Sequence, residues 1–298
     1  MARKAPAFLK PGQKEFAKAF SALCDRQSSW QAWADFVEMA AIAISNSVDR
    51  SETRGKREQR YLDIISMYTT AEQRVFPELM ATIVSAMDAN QDQDFLGDLF
   101  MALELGNHWK GQFFTPYDVC KMMAEIQLPG AAEEVKKKGW IGINDPACGA
   151  GALLIAARNV FYGQEGIGPD QTLFVAQDID RVAGLMCFIQ LSLMGCAGYV
   201  VIADSLLYPI CGPSPLFPHF TEHHEVWYLP MWYSPVWCSR RTWYSMDLIF
   251  PAAKTQQIEP PAAEMQREEP EKQPEEPPAP PPTITFPEVA VGEQLRLF

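Results

Sequence analysis

A glycine-containing loop between an apolar segment and an apolar helix start most constrains the fold of this chain. The segment Trp140–Ile143 is followed by Asp145, by the sequence Pro-Ala-Cys-Gly-Ala-Gly and by the apolar residues Ala152–Leu154. This order predicts a buried strand, a tight turn and a helix. Glycines at 149 and 151 would let the backbone approach a ligand, whose polar atoms the free N–H groups of the helix start could face. Glycine also serves tight turns for steric reasons alone, so the loop by itself does not decide between the two interpretations.

Two later segments share one form, a short apolar run that ends in carboxylates. They are Phe174–Asp180 and Val200–Leu206. Ligands of open α/β sheets bind beyond the carboxyl ends of the strands, so Asp145, Asp178 and Asp204 are predicted to converge on one crevice. Each acid also has an alternative interpretation as a helix cap, a position that Asp often occupies.

Together with the upstream sequence GQFFTP, Gly111–Pro116, these segments resemble the N6-adenine DNA methyltransferases of the type I modification-subunit kind. The resemblance covers roughly residues 95 to 210 and consists of GQFFTP, DPACGAGALL, AQDID and ADSL in the family's order. It implies a Rossmann-like α/β methyltransferase core, S-adenosylmethionine (SAM) as cofactor and DNA as substrate, with no metal. Four ordered motifs are more specific than any one of them.

The resemblance also implies roles for individual residues. Asp178 is the expected ribose ligand, and one carboxylate can accept hydrogen bonds from two adjacent hydroxyls. Asp204 would accept from the adenine amino group, and Asp145 would lie near the amino group of the methionine part. The other residues of the predicted cofactor site belong to the loop and to the GQFFTP segment: Phe113, Thr115, Pro116, Pro146, Ala147, Gly149 and Gly151.

The chain departs from the family at the catalytic motif. Methyltransferases of this kind carry a (D/N/S)-P-P-(Y/F/W) tetrapeptide whose aromatic residue stacks on a flipped base. The nearest match is Ser234-Pro235-Val236-Trp237, after a predicted strand over Glu225–Trp232. Ser234 and the Pro235 carbonyl would accept hydrogen bonds from adenine N6, and Trp237 would stack on the base. Packing in a core is the commoner use of aromatic residues, and this segment is crowded with them.

The first hundred residues show apolar residues at helical spacing, and Gly55 with its basic neighbours predicts a loop. The expected division is an α-helical region over 1–105, a SAM-binding domain over 106–250 and a tail over 251–298. After Trp237 the sequence offers one further candidate strand, so the sheet is expected to be short and to be completed by a partner subunit or to function without the missing strands. That strand is Met246–Phe250.

An uncharged run, Leu185–Ala203, is long enough to resemble a membrane span. Gly195 and Gly198 divide it, which predicts a buried helix followed by a buried strand and no membrane insertion. The seven cysteines are scattered without a CxxC pair, and no signal peptide is recognised. These features predict a reduced, cytoplasmic protein.

The formal net charge of −12 is unusual for a protein expected to bind DNA. Contact with phosphates would have to use a local basic patch, although such patches are usually solvated faces. The clearest patch consists of Arg50, Arg54, Lys56, Arg57 and Arg60.

The C-terminal segment is rich in Pro and Glu from Pro251 to about Pro282, which predicts an extended linker. The sequence then ends in Gln294–Phe298, which looks like the pentapeptide with which bacterial polymerases and repair proteins dock on the sliding clamp. A tail that packs on its own domain is the alternative. The residues expected to anchor the docking are Gln294, Leu295, Leu297 and Phe298.

These features together predict a SAM-dependent methyltransferase that modifies adenine N6 in DNA. The alternative from another class is a catalytically degenerate SAM-fold scaffold that acts through its C-terminal docking motif. Methylation of protein or RNA is a third interpretation, which the order of the four motifs disfavours.

Overall fold

The computed structural model describes residues 10–105, 114–164 and 167–249. Eleven α-helices and six β-strands lie in these ranges. Phe113, the predicted tail over 251–298 and its docking residues Gln294, Leu295, Leu297 and Phe298 lie outside the described residues.

Helices make up the N-terminal part, as the apolar spacing predicted. Their core is aromatic, with the buried rings of Phe16, Trp33 and Phe36 in edge-to-face contact. The helices are α1 (Pro11–Phe20), α2 (Ser29–Val48), α3 (Thr53–Ile65), α4 (Thr70–Gln73), α5 (Val75–Ala89) and α6 (Phe95–Ala102), with a short 3₁₀ helix at Ser21–Asp25 between α1 and α2.

The loop predicted at Gly55 is wrong, because α3 already begins at Thr53. Glycine in a helix interior costs about 1 kcal/mol relative to alanine, which favourable packing of the rest of the helix can outweigh. Ile64 of the same helix is fully buried, and Arg57 is almost so.

The second part of the chain alternates strands and helices. The predicted buried helix and strand within Leu185–Ala203 are confirmed. No helix in the described part of the chain is long and apolar enough to cross a membrane. The elements are α7 (Tyr117–Gln127), α8 (Ala131–Lys138), β1 (Ile141–Asp145), α9 (Ala152–Gly163), β2 (Thr172–Asp178), α10 (Arg181–Leu193), β3 (Ala197–Ile202), β4 (Cys211–Ser214), β5 (Phe217–His219), β6 (Glu225–Tyr228) and α11 (Pro235–Ile249), with a 3₁₀ helix at Pro230–Tyr233.

The main sheet has four strands in the order β1-β2-β3-β6. The first three are mutually parallel, and β6 runs antiparallel to β3. The expected α/β fold with a mostly parallel sheet and N-terminal helices is therefore confirmed. β4 and β5 form a separate two-stranded sheet.

Alternate residues of β2 belong to two different cores. Phe174 and Ala176 join the core formed with α9, α10 and the N-terminal helices. Leu173 and Val175 point to the other face, where Trp232 and Trp237 cover them. The sheet is thus a middle layer, as its near-continuous apolar strands require.

Two predicted strands near the C-terminal end of the described chain are corrected. The strand expected over Glu225–Trp232 ends at Tyr228, because Pro230 lacks a backbone N–H group and begins the 3₁₀ helix instead. Residues 246–249 of the strand expected at Met246–Phe250 continue α11.

Arg57 connects the N-terminal helices to the edge of the sheet. Its guanidinium donates hydrogen bonds to Ser45 Oγ, Asp49 Oδ2 and the Val226 carbonyl at 2.7, 3.2 and 2.7 Å. It also lies 3.7 Å from the centroid of the Trp227 ring. Arg57 therefore satisfies an outward carbonyl of β6 and is unavailable to DNA.

The expected basic patch is divided by this packing. Arg60 donates to both carboxylate oxygens of Glu38 at 3.0 Å. The remaining three members are exposed: Arg50, Arg54 and Lys56.

We expect Arg57→Met to lower the free energy of unfolding by about 3–5 kcal/mol, because it leaves the carboxylate of Asp49 and the Val226 carbonyl buried without their cationic partner. Arg54→Met, an exposed change on the same helix, should stay within about 0.5 kcal/mol. Urea unfolding followed by circular dichroism measures both. Equal losses for the two variants would show that the buried network contributes no more to the free energy of unfolding than an exposed side chain does.

Candidate cofactor site

The register of the parallel strands places the three predicted carboxylates at one edge of the sheet. Asp145 at the end of β1 pairs with Ala176, and Asp178 at the end of β2 pairs with Ile202. Asp178 therefore lies two residues beyond the position that pairs with Asp145. Asp204 in turn lies two residues beyond Ile202, the last residue of β3 and the partner of Asp178. The structure brings Asp145, Asp178 and Asp204 to the same end of neighbouring strands.

Hydrogen bonds donated by backbone N–H groups fix the loop between β1 and α9. Ala147 N donates to Asp145 Oδ1 at 3.1 Å, and Cys148 N donates to the Gln177 carbonyl at 3.0 Å. Gly149 and Gly151 have φ values of +53° and +97°, a region that favours glycine. A Cβ on Gly151 would lie 2.9 Å from the Sγ of Cys187, so the loop also packs too closely on α10 for a side chain there.

Asp178 joins the loop to the second strand. Its Oδ2 accepts a hydrogen bond from Gly149 N at 2.8 Å, and its Oδ1 accepts one from Asp180 N at 2.8 Å. Burial raises the pKa of the Asp178 carboxyl, although these backbone donors act in the opposite direction. Asp180, not Asp178, is the helix cap, because its side chain accepts from the first N–H groups of α10.

Burial also raises the pKa of Asp145, and the neighbouring negative charge of Asp178 raises it further. No lysine or arginine in the described ranges is hydrogen-bonded or ion-paired to Asp145, Asp178 or Asp204. A bound cation or a set of hydroxyl donors would relieve this concentration of negative charge.

The third acid organises a turn. Asp204 Oδ1 accepts hydrogen bonds from Leu206 N and Leu207 N at 2.8 and 3.2 Å. Leu206 and Leu207 are 90 % and 71 % exposed, and Ile179, directly after Asp178, is 70 % exposed. Three large apolar side chains therefore lie open to solvent immediately beside the carboxylates. The sequence motifs did not mark these side chains as site residues. Their positions shortly after Asp178 and Asp204 were a usable signal.

The GQFFTP segment contributes an aromatic side chain to the loop. A Cβ on Gly149 would lie 3.0 Å from Cδ1 of Phe114, so glycine leaves room for this half-buried ring. Thr115 and Pro116 are exposed just before α7, which begins at Tyr117. Phe114 is thus the described aromatic neighbour of the loop, and the predicted Phe113 lies outside the described residues.

The tetrapeptide Ser234-Pro235-Val236-Trp237 lies at the opposite edge of the sheet. Because β6 is antiparallel, its last residue, Tyr228, pairs with Tyr199 near the start of β3. Trp237 Nε1 accordingly donates to the carbonyl of Pro169, ahead of β2, at 3.3 Å. Ser234, Pro235 and Trp237 therefore do not lie beside the glycine loop in this structure.

The burial of Trp237 has the same consequence. Its side chain is 0 % exposed and packs edge-to-face on Trp140, with a ring separation of 6.0 Å. A flipped base has no access to a ring enclosed in this way. The Oγ of Ser234 is also buried, without a hydrogen-bond partner among the described residues.

Comparison with known proteins agrees with the sheet and the loop. Residues 92–219 match the family model described as N-6 DNA Methylase. The chain therefore carries an N-6 DNA methylase domain. No curated protein and no solved structure matches the chain. The matched range of the methylase domain includes the loop and all three carboxylates, and it ends before Ser234.

We expect Trp237→Phe to lower the free energy of unfolding by about 1–3 kcal/mol, through lost volume and the lost indole hydrogen bond, without changing SAM binding. Trp243→Phe is the matched control, because Trp243 lies on the same helix and is 67 % exposed. Chemical denaturation and calorimetric titration with SAM measure the two quantities. A loss of SAM affinity in Trp237→Phe would place this ring at the ligand after all.

Proposed function

We propose that this chain binds SAM at the carboxyl ends of β1, β2 and β3 and supplies the cofactor-binding part of an enzyme that methylates adenine N6 in DNA. The alignment of Asp145, Asp178 and Asp204 around the glycine loop is the observation that carries the proposal. The domain match gives the class of reaction. We retain the division into a helical region over 1–105, a cofactor domain over 106–250 and a tail over 251–298, and a cytoplasmic location, as parts of this proposal.

The charge of the site fits SAM better than a phosphate-bearing cofactor. SAM carries a sulfonium and an ammonium group, whereas a dinucleotide brings a negative pyrophosphate. The site offers three carboxylates without a basic partner in the described ranges, and burial raises the pKa values of Asp145 and Asp178. A cationic ligand would favour the ionised form of both acids.

Each group of the site has a task that suits its chemistry. Asp178 would accept hydrogen bonds from the two ribose hydroxyls while it holds Gly149 N, and Asp204 would accept from the adenine amino group. Asp145 would lie near the ammonium group, with Pro146, Ala147, Gly149 and Gly151 as the loop backbone beneath. The exposed side chains would cover the faces of the adenine ring: Ile179, Leu206 and Leu207.

The methionine end would be closed by the segment before α7, with Thr115, Pro116 and Phe114 against the loop. Bound SAM supplies an activated methyl group for direct transfer to a nitrogen nucleophile. The chain's own residues would bind and orient this donor and keep water from it. Acceptor-side residues must come from a different source, because Ser234, Pro235 and Trp237 lie at the other edge.

We propose that a partner polypeptide provides the acceptor side by adding a strand to β1. β1 is an edge strand of the described sheet. Its residues Gly142 and Asn144 are exposed, and their backbone groups point away from β2. Helix α7 lies beside it, because Ala124 and Gln127 line a small cavity together with Asn144. Along the outward side of α7 runs an exposed apolar stripe, namely Val119, Met122 and Ile126.

An open strand edge next to an apolar stripe is a surface for strand addition. The opposite edge strand, β6, is less open, because its outward Val226 carbonyl already accepts a hydrogen bond from Arg57. A partner strand beside β1 would bring its carboxyl end close to the glycine loop. The partner would also supply DNA contacts that an acidic chain with an inward-facing Arg57 lacks.

We expect the purified chain to bind SAM and Asp178→Ala to weaken binding at least about tenfold, because hydrogen bonds to a charged group are lost. Asp88→Ala is the control, because Asp88 is an exposed acid on helix α5 of the N-terminal part. Isothermal titration calorimetry measures both affinities. Failure of the unaltered chain to bind SAM would refute the proposed cofactor role.

The chain alone should transfer no labelled methyl group from SAM to duplex DNA, because its described residues place no acceptor-side motif beside the loop. Addition of the partner polypeptide should yield N6-methyladenine, which digestion and mass spectrometry identify. Formation of N6-methyladenine by the chain alone would contradict the proposed division of labour and favour a rearranged Ser234 segment. The catalytically silent scaffold would yield SAM binding without transfer under either condition.

Docking on a sliding clamp remains part of the proposal. Its residues lie outside the described ranges, so the sequence alone supports it. A peptide of residues 286–298 should bind a bacterial clamp, and the double change Leu297→Ala and Phe298→Ala should abolish binding, because both apolar anchors are lost. Fluorescence anisotropy measures this, and equal binding of the altered peptide would exclude the motif.

A further inference from the structure

The side chain of a buried glutamine is hydrogen-bonded to the cofactor loop. Gln190 lies in α10 and is 0 % exposed. Its Nε2 donates a hydrogen bond of 2.8 Å to the carbonyl of Ala150, the residue between the two left-handed glycines of the loop. The sequence motifs do not include this residue.

The same amide reaches the N-terminal helices. Nε2 of Gln190 donates a second hydrogen bond, of 2.7 Å, to Asp94 Oδ1, and its Oε1 accepts one of 3.1 Å from Leu96 N. Asp94 is the N-cap of α6, and its Oδ1 also accepts from Gly97 N at 2.9 Å. Both hydrogens and the oxygen of the Gln190 amide are therefore used within the core.

We propose that Gln190 is a positioning residue that holds the Ala150 carbonyl, and with it the glycine loop, in the conformation that receives the cofactor. The proposal rests on the proposed SAM site and adds the element that shapes it. Asp178 holds the loop at the Cys148–Gly149 peptide and Gln190 holds it at the Ala150–Gly151 peptide, so the two contacts fix the peptide groups on either side of the Gly149–Ala150 peptide.

The chemistry of the position requires an amide. The Ala150 carbonyl is an acceptor, the Leu96 N–H group is a donor, and Asp94 is an acceptor, so a single side chain must donate twice and accept once. An apolar residue of similar size would fill the space and leave these buried groups without partners, which is costly. Gly149 and Gly151 make the loop intrinsically adaptable, so an external contact is needed to select one conformation.

Asp94 strengthens this link. Its side chain is 2 % exposed, and burial raises the pKa of its carboxyl to about 6, although the hydrogen bonds from Gln190 and Gly97 oppose this. Through Asp94 the start of α6 and the loop share one amide, which connects the N-terminal helices to the cofactor site.

The test compares Gln190→Met with Gln73→Met. Gln73 is a half-buried glutamine of α4 that likewise donates from Nε2 to two backbone carbonyls, those of Ile65 and Tyr68. Hydrogen–deuterium exchange of the ligand-free chain should become about tenfold faster at the amides of residues 148–151 in Gln190→Met alone. Unchanged loop exchange would overturn the proposal.

Calorimetric titration then asks whether the held loop matters for binding. SAM should bind about tenfold more weakly to Gln190→Met and with unchanged affinity to Gln73→Met. Exchange decides the positioning role without ligand, so failure of the unaltered chain to bind SAM would refute the proposed function separately. Equal loss of affinity in both variants would mean that general destabilisation, and not the loop contact, is responsible.

Gln190→Glu supplies a signature that a merely structural role would not give. The introduced carboxyl can donate to the Ala150 carbonyl only while it is protonated, so its affinity deficit relative to the unaltered chain at the same pH should shrink between about pH 8 and about pH 5.5. The deficit of Gln190→Met should change less with pH, because only neighbouring groups such as Asp94 then titrate, and a pH-independent deficit in Gln190→Glu would overturn the proposal. The titratable groups around this amide, common to all variants, are Asp94, Asp98, Lys10, Tyr117, Cys120, Cys148 and Cys187.

Discussion

The parallel pairing of β1, β2 and β3 is the constraint on which the site depends. Parallel strands end at the same edge, so the residues that follow each strand meet there without any long-range contact of their own. The register then staggers Asp145, Asp178 and Asp204 along this edge. Two hydrogen bonds, from Gly149 N to Asp178 and from Cys148 N to the Gln177 carbonyl, join the turn after β1 to the end of β2.

The antiparallel direction of β6 separates the two halves of the expected chemistry. Had this strand been parallel, its end would have delivered Ser234 and Trp237 to the edge that carries the carboxylates. Its reversal carries them to the opposite edge, where Trp237 fills the second core together with Trp140. The sheet is open at β1, where the proposed partner polypeptide would supply the acceptor side.

Buried polar contacts, in addition to apolar packing, unite the N-terminal helices with the sheet. Arg57 bridges α2 and β6, and Gln190 bridges α6 and the loop. Each contact satisfies backbone groups that would otherwise be buried alone, so removal of either side chain costs more than an exposed hydrogen bond. These contacts join the N-terminal helices to the sheet and to the glycine loop.

The sequence by itself determined the order of elements, because apolar runs, glycines and terminal acids are local signals. It predicted β1, β2 and β3, the glycine loop and the helical N-terminal part. It did not determine the direction of β6 or the burial of Trp237, because an aromatic residue after a strand has the same local pattern at either edge of a sheet. The contacts of Gln190, Asp94 and Arg57 were also decided by the tertiary structure alone. Their hydrogen-bond partners include residues far away in the chain, which become neighbours only through close packing.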